Sequence, residues 1–115
     1  MNKITKISVI IPCFNEVKTI KEIVGRVDKF NLLEKEIILV DDGSYDGSVD
    51  VIKKEIENNV FKVIYHEQNK GKGAAIKSAL KFVTGDIVII QDADLEYNPE
   101  DYNNLIKPFI NNDAD

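Results

Sequence analysis

The chain has a single cysteine, no basic cluster and no long apolar run, and each shortage removes a class of protein. One thiol, Cys13, makes no internal disulfide, which fits a reducing, cytoplasmic setting. As a nucleophile Cys13 would need a base beside it, and nothing nearby in the sequence marks one. A small buried hydrophobe at a strand end is the commoner use of such a residue. A membrane-spanning helix takes about 18 consecutive apolar residues, and no stretch approaches that. The start, Met1-Asn2-Lys3-Ile4-Thr5-Lys6, is too short and too polar for a signal peptide. With a net charge of −5 and only scattered lysines, a nucleic acid polymer is not an expected partner. Nucleotides stay open, because a metal ion can supply positive charge locally. Long linkers, low-complexity segments and internal repeats are absent too.

What is present reads as one domain, residues 1–115. Apolar residues make up 43% and charged residues 30%, enough for a core and too apolar for disorder. Ile7-Ser8-Val9-Ile10-Ile11 and Glu36-Ile37-Ile38-Leu39-Val40 predict two strands. Val60-Phe61-Lys62-Val63-Ile64-Tyr65 predicts a third, less apolar and so nearer an edge. Ile87-Val88-Ile89-Ile90 predicts a fourth, buried on both faces as in a parallel sheet. Pro12 lacks an N–H and is expected to end the pairing of the first strand.

Helices alternate with these strands. Ile20, Ile23, Val24, Val27 and Phe30 form one stripe at helical spacing. Val49, Ile52 and Ile56 share a second face, with Asp46 or Ser48 as its cap. The third helix is expected from Ala74 to about Val83, its alanines allowing close packing on the sheet. Thr84-Gly85 stops it. Asn98-Pro99-Glu100-Asp101 is a strong helix start, followed by Tyr102, Leu105, Ile106, Phe109 and Ile110 on one face, with Pro108 kinking or shortening it. The alternation implies a Rossmann-like, three-layer α/β/α fold with a mainly parallel sheet.

Polar residues crowd the loops after the first, second and fourth strands, at 12–16, 41–44 and 92–96. In a parallel sheet these loops open on the same side, so they converge where such sheets bind ligands. Asp92 and Asp94 stand one residue apart, and two carboxylates that close need a cation between them. Hard oxygen ligands suit Mg²⁺ or Mn²⁺ bridging to nucleotide phosphates. The plainer alternative is a pair of solvated loop acids. Asp41 and Asp42 suggest a split of roles, one making a turn over Gly43 and one facing a ligand. Glu16 suits a helix cap and a ligand contact equally. Gly71-Lys72-Gly73 opens a helix and could face phosphate. It lacks P-loop spacing, though, and no Gly-x-Gly-x-x-Gly follows the first strand, so tight-turn glycines and a solvated Lys72 are the expectation. His66 reads as a loop histidine without a partner.

Val9-Ile10-Ile11-Pro12-Cys13-Phe14-Asn15-Glu16, Val40-Asp41-Asp42-Gly43-Ser44-Tyr45-Asp46-Gly47-Ser48, Asn69-Lys70-Gly71-Lys72-Gly73-Ala74-Ala75 and Gly85-Asp86, with Asp92-Ala93-Asp94-Leu95-Glu96, occur in that order. Together they resemble family-2 glycosyltransferases of the GT-A fold, and especially the branch making polyprenyl-phosphate and dolichyl-phosphate sugars. The resemblance implies an inverting glycosyltransferase with a nucleoside-diphosphate-sugar site. Pro12, Phe14 and Glu16 take the place of its first-loop nucleoside contacts, with Phe14 where the family usually has tyrosine. Val40, Asp41 and Asp42 take the place of base and ribose contacts. Asp92, Ala93 and Asp94 form the diphosphate and metal segment, with Asp94 the foremost metal ligand and Glu96 a second. Mg²⁺ or Mn²⁺ is the implied cofactor, and a lipid phosphate or a glycan the implied acceptor.

Family members commonly run much longer, so the chain is expected to be an amino-terminal donor-binding portion that transfers sugar poorly alone. An exposed sheet edge would then favour homo-oligomers. A full-length form is expected at the cytoplasmic face of a membrane. Two other functions compete: a Mg²⁺-binding, receiver-like signalling module, and a folded but inert interaction module. A receiver would want an acid pair after the first strand and an aspartate after the third, where this chain has Pro12 and Tyr65-His66.

Overall fold

The computed structural model describes residues 5–30 and 33–93. The elements follow in the order β1 (Lys6–Cys13), α1 (Ile20–Lys29), β2 (Glu34–Asp41), α2 (Ser48–Val51), β3 (Lys62–Tyr65), α3 (Lys72–Leu80) and β4 (Ile87–Ile90). The second helix is irregular. It widens to a π-type turn over Ile52–Ile56 and tightens to a 3-10 turn over Glu57–Asn59. All strand pairs are parallel and the sheet order is β3-β2-β1-β4.

Period-two alternation along the strands feeds two cores, one per face. Val9, Ile11, Ile37 and Leu39 pack with Ile20, Ile23, Val24 and Val27 of α1 and with Ile52 and Ile56. Ile10, Ile38 and Val40 meet Ala75 and Ala79 of α3 on the other face. That is the Rossmann-like α/β/α arrangement. Among the described residues no helix is long and apolar enough to cross a membrane. The stretch from Asn98 to Ile110 lies outside the described residues.

The chain steps outward from β1 to β2 to β3, then crosses back to lay β4 on the other flank of β1. The strand order therefore reverses between β1 and β4, the position where open α/β sheets hold ligands.

Two expectations are corrected. Pro12 does not end the pairing, because Pro12 stays in register with Val40 and Cys13 with Asp41. The reason is parity. In a parallel ladder a residue's N–H and C=O face the same neighbour. Ile10 faces β4, since its carbonyl accepts from Gln91 N–H at 2.8 Å. Pro12 has the same parity, and β4 pairing has ended there, so its missing donor costs no bond. Nor is β4 buried on both faces. Ile87 and Ile89 join the α1-side core, but Val88 and Ile90 are 39% and 38% exposed. On their side α3 packs over β1 and β2 instead.

Gly85 joins α3 to β4 because nothing larger fits there. A Cβ at that position would lie 2.7 Å from both the backbone N and the Oγ of Ser8.

Candidate functional site

The loop after β1 is pinned to the loop after β2. Asn15 adopts φ 54°, a left-handed conformation that asparagine tolerates. Its backbone N–H donates to Ser44 Oγ (2.8 Å), and its side-chain oxygen accepts from Tyr45 N–H (2.9 Å). Glu16 N–H donates to Ser48 Oγ (3.1 Å) and Val17 N–H to Asp46 Oδ2 (3.0 Å). Asp46 Oδ1 also takes the N–H of Ser48 (2.9 Å), but neither expected residue is the N-cap of α2, which is Gly47. Phe14 meets Tyr45 edge-on with ring centres 5.9 Å apart.

The β2 loop is closed in turn against the segment before α3. Gly43 has φ 77°, and a Cβ there would stand 2.5 Å from the Gln68 carbonyl carbon. Only glycine permits both.

These loops enclose a cavity of about 260 Å³ at the carboxyl ends of the strands. Pro12, Cys13, Phe14 and Glu16 line it from β1, Asp42 from β2, Gly71 and Lys72 from the start of α3, and Asp92 and Ala93 after β4. Three polar loops, separated in sequence, thus share one wall. Glu16 lines the cavity but is not the cap foreseen for it, because Thr19 holds the N-cap position of α1. The Glu16 carbonyl accepts from Thr19 N–H (3.1 Å) and Ile20 N–H (2.9 Å) in the turn that leads into α1. The Thr19 hydroxyl donates to the Ala93 carbonyl, tying the β4 loop to α1.

Two expected residues lie off the cavity wall. Val40 is fully buried under α3. Asp41 makes the turn, accepting from Ser44 N–H at 3.0 Å, and its Oδ1 is buried without a hydrogen-bond partner among the described residues. Asp42 is the member of the pair that lines the cavity. Burial would raise its pKa, but hydrogen bonds from His66, Lys70 and Gly71 prevail and hold it below the usual carboxylate range. Cys13 behaves as a buried hydrophobe. Burial, then the charge of Asp41, push its thiol up to about 12, so it is no thiolate at neutral pH.

Two expectations about cationic groups change. Lys72 is not simply solvated, because its Nζ stands 2.6 Å from Asp92 Oδ1. The cation expected between Asp92 and Asp94 is a separate matter, because Asp94 lies outside the described residues. His66 is no loose loop residue either. Its Nδ1 is 2.8 Å from Asp42 Oδ1 and its Nε2 is 2.9 Å from Ser78 Oγ. Two features of the fold place it there. The β2–β3 register pairs Asp41 with Tyr65, which sets the next residues side by side. Ser78 also shares the inner face of α3 with Ala75 and Ala79, and a polar group there needs a partner.

Of the expected metal ligands, Asp92 is at the cavity, while Asp94 and Glu96 lie outside the described residues. Among the described residues no group of three His, Cys, Asp or Glu side chains forms a metal cluster. The donor chemistry fits a hard divalent ion, since the Asp92 carboxylate is 25% exposed and already draws a cation.

Similar proteins point the same way. Over 109 residues the chain is 38% identical to an undecaprenyl-phosphate 4-deoxy-4-formamido-L-arabinose transferase of Proteus mirabilis, covering 90% of this chain and 33% of that protein. It thus spans about a third of that relative's length. The S. aureus TarS 1-349 structure in complex with UDP-GlcNAc matches with a TM-score of 0.74 at 31% identity, covering 94% of this chain and 32% of that one. Glucosyl-3-phosphoglycerate synthase from Mycobacterium tuberculosis, in complex with Mn²⁺, UDP and glucosyl-3-phosphoglycerate, gives 0.73 at 29% identity, covering 92% and 40%. The family described as Glycosyl transferase family 2 matches residues 8–115, so the chain belongs to that family.

Proposed function

We propose that this chain is the donor-binding portion of an inverting glycosyltransferase that takes a nucleoside-diphosphate sugar and passes the sugar to a polyprenyl phosphate. The observation that carries this reading is the single cavity shared by Phe14, Glu16, Asp42, Lys72 and Asp92 at the strand order reversal. Support for the donor class comes from the UDP-GlcNAc and UDP in the matched structures. Support for the acceptor class comes from the name of the Proteus relative.

In this reading Phe14 offers an aromatic wall to the base, and Asp42 accepts a hydrogen bond from base or ribose. Lys72 and Asp92 face the diphosphate. Asp92, with Asp94 and Glu96, would hold Mg²⁺ or Mn²⁺, which when bound supplies Lewis-acid stabilisation of the leaving nucleoside diphosphate. Lys72 gives a second positive charge for the same oxygens through a charge-assisted hydrogen bond. A phosphate acceptor is already anionic and needs no general base to attack the anomeric carbon.

Calorimetry with UDP and with GDP, each with and without Mn²⁺, tests the donor site. Metal-dependent heat that is lost in Asp92→Ala is expected. A folded chain that gives no heat with either nucleotide overturns the reading.

A further inference from the structure

Asp42 is held by side chains that the donor-site reading does not use. The backbone N–H of His66 donates to the Asp41 carbonyl at 2.8 Å, carrying the β2–β3 register past the end of the strands. This brings the imidazole beside Asp42. The His66 and Asp42 side chains are only 7% and 4% exposed. An ionised carboxylate can only accept, so in the neutral ring Nδ1 carries the proton. Nε2 then accepts from the Ser78 hydroxyl, which anchors the relay to α3. The same carboxylate takes the backbone N–H groups of Lys70 (2.9 Å) and Gly71 (2.8 Å), in the turn that walls the cavity. Neither His66 nor Ser78 is among the cavity-lining residues, so the trio is a holding device rather than a Ser-His-Asp nucleophile.

We propose that His66 and Ser78 are positioning residues for the donor site, fixing the Asp42 carboxylate and, through it, the turn at Lys70 and Gly71. This rests on the donor-site reading and deepens it. It assigns the geometry of the nucleotide wall to two residues that are not among those lining the cavity.

Two measurements on the whole chain test it, and they fail separately. Nitrogen-15 NMR of the imidazole needs no nucleotide. In its neutral form the ring should carry the proton at Nδ1 and be bare at Nε2, and the opposite tautomer overturns the relay even if UDP binds well. Calorimetry with UDP and Mn²⁺ then reads the function. His66→Ala should weaken binding about tenfold, the effect of losing one hydrogen bond to a charged group. His66→Asn, whose amide nitrogen replaces the Nδ1 donor, should recover most of that loss, a rescue that general loosening of the fold would not give. Ser78→Ala should fall between wild type and His66→Ala. Unchanged affinity in His66→Ala, or equal losses in His66→Asn and His66→Ala, overturns the proposal. Should His66→Ala not fold, His66→Asn and Ser78→Ala decide it: wild-type affinity in Ser78→Ala with a tenfold loss in His66→Asn sinks it. If wild type binds neither UDP nor GDP while the tautomer is as expected, the donor reading fails and takes the positioning role with it.

Discussion

The two ends of the sheet each bury a carboxylate, and they use it differently. At the amino end Glu36 is 4% exposed. Its Oε2 accepts from Ser8 Oγ and Thr84 N–H, both at 2.7 Å, and its Oε1 from Thr84 Oγ1 (2.6 Å) and Lys6 Nζ (3.1 Å). A carboxylate has about four acceptor positions, and here all are taken. At the carboxyl end Asp42 has two donors on Oδ1 and one on Oδ2 among the described residues, and it lines the cavity. One acceptor position is left over. A saturated buried acid joins β1, β2 and the exit of α3 into one unit; an unsaturated one beside a cavity is available to a ligand.

The sharpest way to break the comparison is Glu36→Ala. It strands Lys6 and the Ser8 and Thr84 donors, and should destabilise the fold by about 3–5 kcal/mol in urea unfolding, the cost of breaking a buried charged network. UDP affinity per folded molecule should stay at the wild-type value. An affinity loss alone, with stability intact, would merge the two ends into one site.

Acid titration gives the next largest effect. Burial would raise the Glu36 pKa, but hydrogen bonds from Thr84 and Ser8 and the Lys6 contact hold it at about 2 against an ordinary 4.5. The folded state therefore favours the ionised form. Its contribution is complete above the ordinary value and fades as pH falls toward about 2, a loss of up to about 3 kcal/mol. Asp42, also lowered, adds a loss of the same sign. In Glu36→Gln the wild-type slope across this window should flatten, and an unaltered slope would assign acid sensitivity to the cavity end.

The smallest change in stability is expected for Lys72→Met. The lysine side chain is 56% exposed, so screening leaves its pair with Asp92 worth less than about 1 kcal/mol to folding. UDP affinity should fall about tenfold if the ammonium meets the diphosphate. The cavity end would then show the reverse of Glu36, with binding lost and stability kept.

The sequence made the strands, the α1 stripe and the meeting of polar loops legible, because aliphatic runs, helical spacing and parallel topology are local or nearly local signals. Glu36 and His66 escaped it. Their partners lie 12 to 48 positions away, and only the strand register and the placing of α3 on the sheet bring them together. Pro12 was misjudged because its tolerance depends on which neighbour the residue faces. The exposure of β4 depends on where the sheet ends and on which strands α3 covers, and four aliphatic residues in a row carry no such information.

Gly43 leaves no room for a side chain beside Gln68 and Asn69, so two loops that are distant in sequence behave as a single mechanical part. Anyone transplanting the 67–71 segment from a relative to alter nucleotide preference must carry the residue at 43 with it. Swapped alone, the graft would meet a wall shaped for another backbone.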